Sequence, residues 1–188
     1  MLRIILWSVV ALFPVSEIAL SIIKRADAAC ARREDRGSLR LLWLMITLGV
    51  ILAVAFKWMP AARFRLPGEW DQFVALGLLV SGLVIRWSAI MALGRQFTVD
   101  VAIHTNHELV QRGLYRWVRH PSYTGLLIAF LGLGIAFANW LSLAVLMAPI
   151  TWAVIRRIEC EERALHKALG PAYAAYCARV KRLVPGLI

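Results

Sequence analysis

The sequence predicts an all-α integral membrane protein with about five transmembrane helices and a cytoplasmic, amphipathic helical segment at its carboxyl end. Three observations predict it. Of 188 residues, 61% are hydrophobic and 18% are charged, against about 45–50% and about 25% in an ordinary soluble domain. The charges stand in clusters between long apolar runs, which is how a membrane protein distributes them. One stretch, Pro121 to Ile155, carries no charge in 35 residues. The net charge of +11 would by itself suit nucleic acid, but its clustering argues for loops beside a membrane, and no nucleic-acid partner is expected. The length suits one domain, 1–188, with three spans in 1–93 and the polar, chemistry-bearing segments in 94–188.

A helix needs about 20 mostly apolar residues to cross the hydrocarbon core. Ile4 to Ile23 supplies the first span, interrupted by Pro14 and Glu17. Read as a signal peptide, with Ala26-Asp27-Ala28 as its cleavage site, this segment fits poorly, because Glu17 interrupts the apolar core and Lys24-Arg25 precede the cut. Leu39 to Met59 is the second span, and Gln72 to Leu93, containing Arg86, is the third. The uncharged run from Pro121 is too long for one crossing. Its interior Ala138-Asn139-Trp140 offers a turn, which predicts two short antiparallel spans, about 122–137 and 140–155.

Orientation follows from the distribution of Lys and Arg. The first loop holds Lys24, Arg25, Arg32, Arg33, Arg36 and Arg40; the third holds Arg95, Arg112, Arg116 and Arg119; the tail beyond 155 is equally basic. Five spans put these three segments on one side, so the tail is expected in the cytoplasm and the N-terminus outside. Glu17 and Arg86 lie within spans, where an ionisable group must face the protein interior or water, unless Arg86 snorkels from a helix end.

Two polar segments share the expected cytoplasmic side. Gly94 to His120 contains His104, His107, Tyr115, Arg119 and His120. The tail places Ile158, Leu165, Leu169, Tyr173, Tyr176 and Val180 at helical spacing, with Gly170-Pro171 dividing it into two helices. Such a basic amphipathic pair can lie on lipid headgroups. Arg157 and Glu161 share a face at i, i+4. They read either as a surface ion pair worth about 0.3–0.5 kcal/mol or as a cation and an anion presented to one site, and spacing leaves both open. His120, before Pro121, is biased to extended backbone at the start of the fourth span. The four histidines and three unpaired cysteines form no metal-binding or disulfide pattern. P-loop, GxGxxG and GxSxG signatures are absent. Cys160, beside Glu161, reads as a small packing residue.

The segment Leu109-Val110-x-x-Gly113-x-Tyr115-x-x-x-Arg119-His120-Pro121-Ser122-Tyr123-x-Gly125 resembles the isoprenylcysteine carboxyl methyltransferase family. So does the tail, in order and spacing: Arg157-x-x-x-Glu161-Glu162-x-x-Leu165, then Gly170, Tyr173, Tyr176, Val180, Arg182 and Pro185. Together these blocks cover about 103–185; the first hundred residues match only in hydropathy and span count. The resemblance implies a membrane methyltransferase that uses S-adenosylmethionine and acts on the terminal carboxylate of an isoprenylcysteine or a similar lipophilic acceptor. It implies cofactor-binding roles for His107, Leu109, Val110, Tyr115, His120, Pro121, Ser122, Tyr123 and Glu161, and a substrate-binding, catalytic role for Arg157. A further cofactor contact of the family, usually a Gln, has no counterpart in 99–103. The expected partners are membrane lipid and a lipophilic or lipidated-cysteine substrate, with no metal.

Three other functions compete. A phospholipid or other lipophilic N- or S-methyltransferase shares the donor; an amine acceptor would need a base and gain nothing from Arg157. An NADPH-dependent membrane reductase would use Arg112, Arg116 and Arg119 for the 2′-phosphate. A non-enzymatic protein would use the tail only to bind anionic lipid.

Overall fold

The computed structural model describes residues 1–27, 32–35, 37–64, 67–94, 101–103 and 109–184. Among these residues six α-helices follow in order: α1 Leu2–Asp27, α2 Gly37–Phe56, α3 Trp70–Leu93, α4 Pro121–Ala136, α5 Trp140–Leu169 and α6 Pro171–Arg179. Four of them, α1, α2, α3 and α5, are long and apolar enough to cross a membrane, and α4 is a shorter apolar helix of 16 residues. The five expected spans are therefore all helices, and the molecule is an integral membrane protein. The surfaces of the long helices agree: Ile4, Leu12, Val15, Leu44, Ile51 and Val84 are all exposed, an arrangement suited to a hydrocarbon solvent.

Two features depart from the sequence reading. A short antiparallel ribbon joins β1, Arg32–Asp35, to β2, Val101–Ile103, with Arg32 opposite Ile103 and Asp35 opposite Val101. Neither segment has an alternating pattern, so nothing in the sequence announces them. The second concerns the tail. Its first helix is not separate, because α5 runs unbroken for 30 residues through Arg156 and Arg157, a rod about 45 Å long at 1.5 Å per residue. The apolar part ends at Ile155, and the remaining turns extend the same helix beyond it. The break falls where expected, at Gly170, with φ +51° and Pro171 opening α6.

The turn between α4 and α5 is built by Asn139. Ala138 takes the left-handed region at φ +50°, and the Asn139 side chain accepts from the backbone N–H groups of Leu141 and Ser142 at 3.0 and 3.1 Å. The same side chain donates to the Met59 carbonyl at 3.0 Å, tying the cap to the end of α2.

Two antiparallel helix pairs make the core. α2 lies along α5, where the Ser142 hydroxyl donates to the Ala53 carbonyl at 2.8 Å. α3 lies along α4 in close backbone contact. A Cβ on Gly125 would stand 2.5 Å from the Gly82 carbonyl oxygen and 2.6 Å from the Arg86 nitrogen, and one on Gly132 would stand 2.7 Å from the Ala75 oxygen. Backbone here meets backbone, as expected where lipid offers no hydrophobic drive between helices and close packing must hold them.

Substituting Gly125 by Ala should force these helices apart and destabilise the protein by about 1–3 kcal/mol. Gly77→Ala, with nothing within 4 Å of the added carbon, should leave stability unchanged or slightly raised. Thermal unfolding of both purified variants in detergent checks the pair.

Candidate active site

The candidate residues gather at the end of the bundle where α2 begins, α3 ends and α4 begins. Proline fixes this start: Pro121 occupies the first turn of α4 and is fully buried, and its missing N–H is one the helix would leave unpaired anyway. The chain then presents His120, Ser122 and Tyr123 in three directions.

Ser122 faces α3. Its hydroxyl accepts from Arg86 Nη1 at 2.9 Å, and the Ser122 carbonyl accepts from the same nitrogen at 3.3 Å. Arg86 also forms a two-pronged ion pair with Glu17 of α1, both contacts 2.5 Å. The two ionisable residues buried in spans thus compensate each other, and the guanidinium does not snorkel. A bidentate carboxylate pair is the geometry in which a buried charge is best satisfied.

Tyr123 faces α5. Its hydroxyl accepts from Arg157 Nε at 2.9 Å, and it lies within hydrogen-bonding reach of Glu161. Arg157 is 3% exposed and also donates from Nη1 to the Ser38 hydroxyl, 2.9 Å away in the first turn of α2. Glu161, one turn further along, has a side chain 33% exposed. Arg157 and Glu161 are therefore not a surface ion pair: they flank one tyrosine, the cation inside and the carboxylate toward the opening.

His120 stands between two glutamates. Its Nε2 is 3.3 Å from Glu162 Oε1 and its Nδ1 3.9 Å from Glu161 Oε2. The ring is buried, not solvated at an interface as its place in the sequence suggests. Glu162 is the hub of this side. It pairs with Arg119 at 3.1 Å and with Arg182 at 2.7 Å. Burial alone would raise the Glu162 carboxyl, yet the hydrogen bonds from His120 and Arg182 and the charge of Arg119 bring it down to about 2.

The tail is docked, not spread on headgroups. Ile158, Tyr173 and Tyr176 are buried in the protein. Beyond α6 the chain runs beside the entry to α4, where the backbone N–H of Arg119 donates to the Lys181 carbonyl at 2.8 Å and that of His120 to the Arg182 carbonyl at 3.0 Å. Tyr176 donates to the Tyr115 carbonyl at 2.5 Å, and Tyr115 donates to the Ala89 carbonyl at 3.4 Å. Burial pushes the Tyr115 and Tyr176 phenols up, Tyr176 to about 12 despite the opposing charge of Arg119, so both stay neutral donors.

The sequence-predicted residues Tyr115, His120, Pro121, Ser122, Tyr123, Arg157 and Glu161 are thus brought together. Leu109 and Val110 are half-buried just before the Tyr115 turn, and their backbone polar groups have no partner among the described residues. His107 lies outside the described residues. Sequence reasoning missed Ser38, which carries no signal, and the roles of Arg119, Glu162 and Arg182, which were visible only as members of a motif. Cys160 is half-buried and accepts from Arg163 Nη2 at 3.1 Å.

The profile of the isoprenylcysteine carboxyl methyltransferase family matches residues 75–167, which contain most of this cluster. A probable protein-S-isoprenylcysteine O-methyltransferase of rice, Oryza sativa subsp. indica, is 35% identical over 151 residues, 76% of this chain and 78% of the relative. The chain belongs to the isoprenylcysteine carboxyl methyltransferase family. Within that family, protein-S-isoprenylcysteine O-methyltransferase B of Arabidopsis thaliana is 34% identical over 119 residues, 62% of this chain and 60% of the relative. A solved structure of a eukaryotic intramembrane Ras methyltransferase, an isoprenylcysteine carboxyl methyltransferase, superposes with a TM-score of 0.70 at 27% identity, covering 97% of this chain and 65% of that one. The chain thus spans less than two thirds of the length of these last two family members.

Glu162→Gln should leave His120, Arg119 and Arg182 around a neutral group and destabilise the protein by about 3–5 kcal/mol at neutral pH. Because the folded carboxyl titrates near 2 and an unconstrained one near 4.5, its stabilisation is complete above 4.5 and lost as pH falls toward 2. The gap in unfolding free energy between wild type and variant should therefore shrink over that window. Chemical denaturation from pH 7 to pH 2.5 measures it.

Proposed function

We propose that this chain is an S-adenosylmethionine-dependent carboxyl O-methyltransferase that methylates the terminal carboxylate of an isoprenylcysteine or a similar lipophilic acid. The observation that carries the reading is the Tyr123 hydroxyl held between a buried guanidinium and a partly exposed carboxylate at the mouth of a membrane helix bundle. Membership of the family, whose members are named for this activity, supports it.

The donor set suits the methyl donor, which supplies a sulfonium-activated methyl group when bound. Glu161 would take its ammonium through a charge-assisted bond. The tyrosine rings of Tyr115 and Tyr123 offer faces to a cation, and the half-buried Leu109 and Val110 offer an apolar wall whose backbone polar groups have no partner among the described residues. His107, Pro121 and Ser122 complete the cofactor-binding set, with His120 fixed between Glu161 and Glu162. A carboxylate acceptor is ionised at neutral pH, its ordinary pKa being about 3.3–3.7, so the chain needs no general base. Its tasks are to align the acceptor and to exclude water. Arg157 would anchor the carboxylate, and its seat in Ser38 and Tyr123 fixes the plane of the guanidinium. The Lys/Arg-rich loops on this end support a cytoplasmic active site and an N-terminus outside.

Arg157→Ala should lower kcat/KM for a prenylcysteine analogue by 100-fold or more while leaving donor binding nearly intact, and Arg157→Lys should recover little, since an ammonium cannot reproduce the planar fork. Initial rates with the analogue and with phosphatidylethanolamine decide between acceptors. Methylation of the amine, unimpaired by Arg157→Ala, would overturn the carboxyl assignment.

Glu161→Gln should weaken donor binding by about 1.5–3 kcal/mol. Titration calorimetry with S-adenosylhomocysteine checks it; unchanged affinity in a folded variant would remove Glu161 from the site.

A further inference from the structure

The other end of the bundle holds a cavity of about 330 Å³, where α1 begins, α2 ends, α3 begins and α4 ends. Arg3, Lys57 and Arg63 line it with one acid, Asp71. The ion pairs described for the protein all lie elsewhere, so these cations are not neutralised among the described residues. Gln72 also lines the cavity, is 7% exposed, and its amide oxygen is buried with no hydrogen-bond partner. A buried acceptor left unpaired is costly and marks a place where a donor belongs.

Depth in the membrane says what can supply such a ligand. Trp58, Trp70 and Trp140, at this same end, are 67%, 64% and 61% exposed. Tryptophans at helix ends sit at headgroup level, and the Lys57 ammonium lies 4.7 Å from the centre of the Trp58 ring. The cavity therefore opens where lipid phosphates are, and clustered Arg and Lys side chains at that depth bind a phosphate through charge-assisted hydrogen bonds.

We propose that this cavity is a binding site for one anionic phospholipid whose headgroup carries hydroxyl groups, phosphatidylglycerol being the simplest. The phosphate meets Arg3, Lys57 and Arg63, and the headgroup hydroxyls donate to Asp71 and to the orphaned Gln72 oxygen. Three cations against one acid favour a net-anionic headgroup over a zwitterionic one. The inference does not depend on the activity proposed for the other end.

The test uses the full chain, purified in detergent without methyl donor, and native mass spectrometry to count bound lipid. Dioctanoyl phosphatidylglycerol, dioctanoyl phosphatidylcholine and inorganic phosphate are titrated separately. Wild type should retain one phosphatidylglycerol at concentrations where phosphatidylcholine and phosphate leave no adduct. Lys57→Gln and Arg63→Gln, both at positions with accessible side chains, should each raise the half-saturation concentration about tenfold. Gln72→Met should weaken phosphatidylglycerol while leaving binding of dioctanoyl phosphatidic acid, which lacks the headgroup hydroxyls, unchanged. Equal retention of phosphatidylcholine, or binding indifferent to both charge variants, would overturn the site. Phosphate bound as tightly as the lipid would make it a free-anion site and overturn the lipid assignment.

Discussion

The architecture depends on the backbone contact between α3 and α4. With no side chain at Gly82 or Gly125, the two helices approach until one backbone touches the other, and dispersion over that seam stands in for the hydrophobic force that lipid does not provide. The contact also sets the site. It brings the backbone of Arg86 against Gly125, one turn from Ser122, so that the guanidinium reaches both the start of α4 and Glu17 of α1. A wider crossing would leave a buried cation short of its partners.

The first turn of α4 is consequently gripped from two sides. On one, Arg86 and Glu17 hold Ser122; on the other, Glu162 with Arg119 and Arg182 holds His120, while Arg157 and Ser38 hold Tyr123. Arg86 is matched by Glu17, and Glu162 by Arg119 and Arg182, close to where they are buried, so the low-dielectric surroundings strengthen these pairs. Such rigidity suits the alignment of two reactants proposed for this cluster.

How much of this was legible follows from what each feature costs the sequence. Spans announce themselves because hydrocarbon tolerates no other composition for about 20 residues, and the α4–α5 turn showed because Asn139 has a capping side chain. The length of α5 did not show: composition changes at Arg156, but a helix need not stop where its surroundings turn aqueous. The β1–β2 ribbon was invisible because four consecutive charged residues carry no alternation. Arg157, Glu161 and Tyr123 were found through motif spacing, and the roles proposed for them rest on resemblance. Glu162 lay in the same motif, yet its function as an ion-pair hub depends on Arg119 and Arg182, 43 and 20 residues away along the chain, distances that no local pattern encodes. Ser38 is an ordinary helix-start serine until α5 is laid beside it.

The strand-like seam between 181–182 and 118–120 carries a consequence for biosynthesis. Residues 181–182 close onto a segment polymerised some 60 residues before them. A nascent chain that has reached Gly170 already holds the five helices α1 to α5, but Glu162 has no Arg182 and the entry to α4 has no partner for its amides. Insertion of these crossings and completion of the pocket are thereby separated in time, because the grip on the entry to α4 cannot close before residue 182 has been made.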